Sequence, residues 1–462
     1  MSFQMPGLSQ AMLQNLASLG FTSPTPIQQQ ALPAVLAGRD VIAMARTGSG
    51  KTAAFGIGLV EQLKVRRFAV QGMVLCPTRE LADQVARAIR ELARSQHNVK
   101  VLTLCGGTPI GPQIGSLSHG AHIVVGTPGR VKDHLDKGTL VLDQLRTLVL
   151  DEADRMLDMG FEDAMAAILA RCPERRQTLL FSATWPDHVR RLSGRFQQDP
   201  VSVTVEEPPA SATAAIEEEF YEVPGDQRQT ALTGLLSLRQ PASCLIFCAT
   251  RQQCDEVTQA LGRQGFAALA LHGDMDQKER DQVLILFANQ SCPILVATDV
   301  AARGLDIDDL PLVVNMEPAR SPETHTHRIG RTGRAGRDGL AVTFFSPASA
   351  HKIVQLEQAR GSGIEPLDAS PLLSASPVPR QPARVTLCIA GGRKEKVRPG
   401  DILGALTGET GLPAARVGKI TIGEFQSFVA VDAPVAQQAL KGLEQGRIKG
   451  RRFRVRRLPV GF

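Results

Sequence analysis

The chain has 462 residues, 43% hydrophobic and 21% charged, the balance of a globular protein with real cores and, at about 150 residues per domain, room for three domains. No apolar run reaches the roughly 18 residues of a membrane span, and the opening MSFQMPGLSQ has no basic-then-apolar leader pattern. The cysteines are scattered with no Cys-x-x-Cys pair or partnering His, so neither a disulfide framework nor a zinc module is supported, and a cytoplasmic protein is expected. The net charge of +6 is uneven: Arg384–Phe462 carries 15 Lys/Arg against 6 Asp/Glu, whereas the remainder carries 37 against 40. A near-neutral body with a basic C-terminal piece points to a polyanion-binding appendage.

From the start to about Val205, apolar runs alternate with longer helical patterns. The strand candidates are Val41–Met44, Met73–Cys76, Val101–Cys105, His122–Val125, Thr147–Leu150 and Thr178–Phe181. Runs this apolar without alternation fit strands buried on both faces of a parallel sheet. After the first run, VIAM, come Gly48, Ser49, Gly50, Lys51 and Thr52 and then a helical pattern. Strand, Gly-rich loop and helix form the context of a phosphate-binding loop. Loop N–H groups and the helix start attract an anion, Lys51 adds a point charge, and the Thr52 hydroxyl offers a Mg²⁺ ligand. Ala45 stands where the general phosphate-loop pattern has Gly.

Glu206–Ala215 has linker composition. A second series of strand candidates follows: Cys244–Cys248, Ala267–Leu271, Ile294–Thr298, Leu312–Asn315 and Ala341–Phe345. Gly361–Ala383, rich in Pro, Ser and Gly, reads as a second linker. The expected division is therefore 1–205 and 216–360 for two α/β domains, 361–383 for the linker and 384–462 for a small module.

The second chemical signal is the apolar run Leu148-Val149-Leu150 ending in Asp151 and Glu152. A carboxylate at a strand end is where a phosphate-loop ATPase holds Mg²⁺, and its neighbour can orient the attacking water. Asp151–Asp154 spells D-E-A-D, and from residue 3 to about 345 the chain resembles the DEAD-box ATP-dependent RNA helicases, whose motifs occur here in order. The resemblance implies two RecA-like domains in tandem and the cofactors ATP and Mg²⁺. Ala45, Thr47 and Gly48–Thr52 match that family's own loop pattern. Phe3, Phe21 and Gln28 resemble the motif that holds adenine. Pro77-Thr78-Arg79, Gly106-Gly107, Thr127 and Arg130 resemble RNA-facing loops, as do Arg280 and Thr298 in the second domain. Ser182 and Thr184 resemble the motif linking nucleotide state to RNA grip, Asp306 a ribose ligand, and His327 a residue bridging toward Asp154.

Arg331 and Arg334, three apart, would share a face if helical. As arginine fingers they would meet charge on the γ-phosphate, a role worth about 10³–10⁵ in rate. They lie in the domain opposite Lys51 and Asp151, so hydrolysis would require domain closure. Aromatics are only 4% of the chain, too few for a groove built on base stacking. Arg, Thr and Gly loops suit phosphates and sugars, which position RNA without reading it.

Choice of RNA falls to the basic module, in which Val385–Ile389 and Gln426–Val431 read as strands and Leu403–Gly408 and Val435–Glu444 as helical. The pattern is that of a small α+β RRM-like domain. Against the RNP1 consensus, Glu424–Val431 keeps only Phe428-Val429, so charge is the better basis for binding. Arg393 and Lys394 head one cluster; Arg452, Arg454 and Arg456, alternating in an apolar strand pattern, would share one strand face. The module resembles that of the DbpA subfamily, which implies large-subunit (23S) ribosomal RNA and its precursors as partners, with no DNA, no membrane and a monomer. A general RNA remodeller with an adhesive tail, or an ATP-gated RNA clamp, are the competing expectations.

Overall fold

A computed structural model of the chain describes residues 3, 5–45, 48–205, 216–302, 307, 309–333 and 339–459, the side chain of Glu409 excepted. Its described residues form two compact units, the first up to Val205 and the second from Ile216 onward.

In the first unit, β1 (Val41–Met44), β2 (Gly72–Leu75), β3 (Val101–Leu104), β4 (Ile123–Gly126), β5 (Thr147–Asp151), β6 (Gln177–Ser182) and β7 (Val201–Thr204) make one parallel sheet in the order β3-β4-β2-β5-β6-β1-β7. Successive residues of a strand feed opposite cores: Val149, Leu179 and Phe181 join one cluster, Leu148, Leu150 and Leu180 the other. That is why these runs are apolar without alternation. Helices cover both faces. Arg79–Leu92 is amphipathic, burying Ala82, Val85, Ala86, Ile89 and Leu92, and Thr78 caps its start by accepting from the Leu81 N–H at 3.3 Å.

The second unit repeats the architecture with β8 (Ile216–Glu222), β9 (Cys244–Cys248), β10 (Ala268–Leu271), β11 (Ile294–Thr298), β12 (Leu312–Asn315) and β13 (Gly339–Phe345), all parallel in the order β10-β11-β9-β12-β13-β8. Edge strands β7 and β8 are absent from the sequence reading because β7 (VSVT) is short and half polar and β8 opens with an acidic run, Glu217–Glu219. Two of the β8 carboxylates are satisfied individually, Glu219 by Arg239 and the Tyr221 hydroxyl and Glu218 by His325 and Arg360, while Glu217 and Glu222 are exposed.

Residues 361–383, read as a linker, are packed along the second domain. The helix Ser370–Ser374 puts Leu372 into the core, and its carbonyl lies so close to Gly234 that no Cβ would fit there. Val378 and Arg380 are hydrogen-bonded to Ser237 and Gln240.

The C-terminal module has β14 (Arg384–Ile389), β15 (Val417–Ile422), β16 (Ser427–Asp432) and β17 (Val455–Arg457) in an antiparallel sheet ordered β15-β16-β14-β17. The helices Pro399–Gly404 and Ala436–Gln445 complete a β-α-β-β-α-β sequence and pack Ile402, Ala439 and Leu443 on Leu387, Ile389, Val429 and Val431. Thr386, Cys388, Phe428 and Ala430 alternate onto the opposite sheet face, yet all are buried. Thr386 identifies what covers them: its hydroxyl meets the Ser291 hydroxyl at 2.7 Å and accepts from Asn289 Nδ2 at 3.1 Å, both in the turn before β11. All eight cysteines are buried free thiols.

Candidate active site and RNA-facing loops

The phosphate loop leaves the carboxyl end of β1. Gly48 and Gly50 hold φ of 84° and 96°, conformations open to glycine at little cost. At Gly50 the need is also steric, since an added Cβ would run into the Gln28 amide and lie 2.9 Å from Thr25 Oγ1. Gln28 is buried; its Oε1 accepts from the Thr25 N–H at 3.0 Å and its Nε2 donates to the Gly50 carbonyl at 3.1 Å. The residue expected to meet adenine thus also braces the loop. Phe3 touches Phe21 edge-on at 6.4 Å, but Phe3 is only 5% exposed and belongs to the core, which leaves half-buried Phe21 as the accessible ring.

Lys51 opens the helix Lys51–Glu61 and is buried, its Nζ donating to the Ala45 carbonyl at 2.6 Å. Thr52 sits beside it in the first turn. The Ser49 hydroxyl is buried with no hydrogen-bond partner, a donor set aside for a ligand oxygen. Thr47, in the same loop, lies outside the described residues.

Asp151 ends β5. Burial pushes its carboxyl up to about 7, opposed by Lys51 and reinforced by Glu152. A carboxylate this reluctant to ionise alone is fitted to sit beside further positive charge. Glu152 follows with φ 52°, a strained conformation for a non-glycine residue, and its carboxylate is 2.8 Å from the buried Arg155 guanidinium. Arg155 was missed in the sequence; its only signal is the three-residue spacing from Glu152. Asp154 accepts from both the Thr184 N–H (3.0 Å) and hydroxyl (2.8 Å), while Ser182 Oγ donates to the Thr184 carbonyl at 2.7 Å. Burial raises the Asp154 carboxyl, but the Thr184 hydrogen bonds and the Arg155 charge outweigh it and hold the group below the usual range. Residues after β5 and β6 are thus tied directly together.

Farther along the same sheet edge, the turns after β2, β3 and β4 carry Pro77-Thr78-Arg79, Gly106-Gly107 and Thr127–Arg130. Arg130 Nη2 donates to the Thr108 carbonyl at 2.9 Å, joining two of these turns. Arg79 Nη1 and Arg130 Nη1 are buried without hydrogen-bond partners, while Arg130 Nε faces Asp133 Oδ2 at 3.7 Å, an ion pair beyond hydrogen-bond distance. Guanidinium donors held this way are built to meet an outside acceptor such as a phosphate.

In the second unit, Arg280 on the helix Gln277–Ala288 donates to the His272 carbonyl at 3.3 Å, and Thr298 closes β11. The next residue, Asp299, is held bidentately by Arg328 at 2.6 and 2.8 Å; Arg328 also donates to Asn315 Oδ1 at 3.1 Å. This buried Arg328 network was not anticipated, because its members come from three separate elements. The shared helical face expected for Arg331 and Arg334 is corrected. The helix Pro322–Ile329, which carries half-buried His327, ends before Arg331. Thr332 pairs with Leu310 and pulls the chain out of the helix, leaving Arg331 buried in the following turn. Arg334 and Asp306 lie outside the described residues.

In the module, the strand expected to align Arg452, Arg454 and Arg456 is shorter than the alternation suggested. Only Val455–Arg457 forms the strand that pairs with β14, so Arg452 and Arg454 precede it outside any strand; Arg452, Arg454 and Arg456 are all exposed, as are Arg393 and Lys394.

A DEAD/DEAH box helicase family model matches residues 25–192, a helicase conserved C-terminal domain 227–336, and a DbpA RNA binding domain 386–457. The ATP-dependent RNA helicase DbpA of Escherichia coli K12 is 52% identical over 98% of both chains. The DEAD-box ATP-dependent RNA helicase CshA of Bacillus cereus is 42% identical over 80% of this chain and 70% of its own. Among solved structures, S. cerevisiae Dbp5 bound to RNA and ADP BeF3 is similar at a TM-score of 0.72 and 29% identity, covering 81% of this chain and all of that one. With its D-E-A-D turn, phosphate loop and C-terminal RNA-binding module all in place, the chain belongs to the DbpA group of the DEAD-box ATP-dependent RNA helicases.

Proposed function

We propose that this ATP-dependent RNA helicase locally separates short duplexes in large-subunit (23S) ribosomal RNA and its precursors, acting in the cytoplasm as a monomer. The observation that carries the reading is the full-length likeness to the E. coli helicase DbpA, basic module included. Lys51 and the amides of Gly48–Gly50 hold the phosphates, and Thr52 and Asp151 are the groups that would hold Mg²⁺, which neutralises phosphate charge. Glu152 orients the attacking water, Asp154 and Thr184 relay the state of the site to the RNA side, and Arg331 and Arg334 supply cations for the γ-phosphate. The buried Ser49 hydroxyl and the raised Asp151 carboxyl support this assignment. The buried N–H groups Arg79 Nη1 and Arg130 Nη1, which make no hydrogen bond in the fold, support backbone contacts that leave sequence choice to the module.

The test is RNA-stimulated ATPase across a panel of ribosomal RNA fragments, comparing the native chain with Arg452→Gln/Arg454→Gln/Arg456→Gln. One or a few large-subunit fragments should stimulate at much lower concentration than the rest, and the triple variant should lose that preference while still responding to unstructured RNA at high concentration. Uniform half-saturation across the panel would replace this reading with that of a general remodeller. Deleting residues 384–462 is a poorer test, because it uncovers Asn289 and Ser291, which are buried.

A further inference from the structure

We infer that Phe425 is a base-stacking platform for an unpaired RNA nucleotide, a site that rests on the reading of the module as the RNA-selecting domain. The sheet face with which an RRM-type fold stacks bases is closed here. Phe428, on that face, is only 8% exposed, and Thr386 beside it is sealed by Asn289 and Ser291. Among the described residues of the module the other aromatic is Phe453, whose ring packs on Gly391. Among the described residues of the module Phe425 is therefore the most exposed ring, 58% exposed at the tip of the β15–β16 hairpin, whereas Phe453 is partly buried.

A single exposed apolar side chain is ordinary on a protein surface. Its mounting is what sets Phe425 apart. The hairpin is closed by Gly423 N–H donating to the Gln426 carbonyl at 2.8 Å. It is braced by the neighbouring turn, where the Arg393 and Lys394 N–H groups donate to the Gly423 and Glu424 carbonyls at 2.9 and 3.1 Å. The Lys394 ammonium sits over the ring, 4.4 Å from its centroid, which fixes one face through a cation–π contact. A base stacking on the ring would then lie next to a cation placed for its phosphate, with Arg393 alongside. The exposed Glu424–Lys394 ion pair, 3.5 Å apart with both side chains more than half exposed, is too weak to hold Lys394 back from a phosphate. The segment with Arg452 and Arg454 flanks Phe453, so the basic loops and the ring meet at one end of the module.

Stacking is tolerant of base identity and requires a base that is not paired. The expected ligand is a loop or bulge nucleotide of a structured RNA, with the cationic loops on the adjoining backbone. The test uses the full chain, a hairpin RNA with a five-adenine loop, 2-aminopurine placed at each loop position in turn, and a blunt duplex of the same stem. The native chain should quench one loop position. Phe425→Ala should abolish that quench and weaken hairpin binding about tenfold, the loss typical of one stacked base. It should leave duplex binding and the salt dependence unchanged, because no phosphate contact is removed. Phe425→Trp should restore both quench and affinity. Unchanged hairpin binding and quench in Phe425→Ala would overturn the platform, as would an equal loss on hairpin and duplex. If Arg452→Gln/Arg454→Gln/Arg456→Gln abolishes hairpin binding while Phe425→Ala does not, stacking alone is refuted. If neither variant changes binding, the RNA-selecting role of the module falls with it.

Discussion

Arg155 offers the sharpest test of how the D-E-A-D turn is held. It is 3% exposed and Glu152 is 5% exposed, with 2.8 Å between their charged atoms. At an effective dielectric near 20, that separation corresponds to about 6 kcal/mol of attraction, most of it offset by desolvation. Replacing Arg155 with Met keeps the stem but takes the guanidinium partner from a buried carboxylate, a change that costs about 3 kcal/mol. Glu152→Gln keeps an acceptor for Arg155 and should cost about 1 kcal/mol. In the double variant no buried charge is left from the pair, so the loss should be about 2 kcal/mol, smaller than for Arg155→Met alone. The chain has one tryptophan, Trp185, packed at the edge of the first domain's core immediately after Thr184. Urea unfolding followed by its fluorescence reports that domain selectively. Arg155→Met within about 0.5 kcal/mol of the native chain, or a double variant equal to the sum of the singles, would show that the pair does not hold the turn.

Gly50→Ala should abolish nucleotide binding and lower the Trp185 unfolding midpoint, because φ of 96° and the Gln28 amide both exclude a Cβ; native-like binding of a fluorescent ATP analogue would contradict this. Arg130→Gln should leave ATP binding unchanged, raise the RNA dissociation constant and lower the log–log salt slope by about 1, the loss of one phosphate contact, in a titration against single-stranded RNA. It should not destabilise the domain markedly, since Nη1 and Nε make no hydrogen bond in the fold and Nε faces only the exposed Asp133 carboxylate, at 3.7 Å. Asp154 is held below its usual range, so its stabilisation is present above the unfolded value of about 3.9 and is lost as pH falls through the lower folded value. Asp154→Asn should therefore destabilise the first domain at pH 7, with the gap closing below about pH 4 in the same fluorescence assay.

The buried strands were legible because a parallel sheet covered on both faces leaves continuous apolar runs, as in Leu148–Leu150. The phosphate loop was legible because its constraint is local: Gly48 and Gly50 supply backbone conformations, and Lys51 must follow them. Features that depend on distant partners left little local trace. The acidic run in β8 does not look like a strand until Arg239, His325 and Arg360 are known to satisfy it. The Ser370–Ser374 helix is too short for periodicity, and only its packing against Gly234 and the hydrogen bonds of Val378 and Arg380 show that the proposed linker is fastened down. The end of the helix at Ile329 is set by pairing of Thr332 with Leu310, a contact no spacing of arginines reveals. The closed sheet face of the module is of the same kind: Thr386 and Cys388 are small residues that fit either a solvent face or a dry contact.

Under the proposed function one domain serves two ligands, and the order of the first sheet gives each its own half of the edge. β5, β6 and β1 are neighbours, so Asp151, Ser182 and the Lys51 loop emerge side by side although far apart in sequence. β3, β4 and β2 occupy the other half and carry the turns with Gly106-Gly107, Arg130 and Arg79. Ligands of such sheets bind at the carboxyl ends of the strands, so under the proposed function the two halves of this edge would serve as adjacent nucleotide and RNA sites on one floor. A signal between them has to pass through side chains above the floor, because strands packed this tightly have no room to slide. Asp154 and Thr184 are placed for that, joined by two hydrogen bonds just above the β5–β6 ends. Under the proposed function, a shift of Asp151 or Glu152 with the nucleotide would reach Asp154 within a single turn of helix, and Thr184 through its two hydrogen bonds.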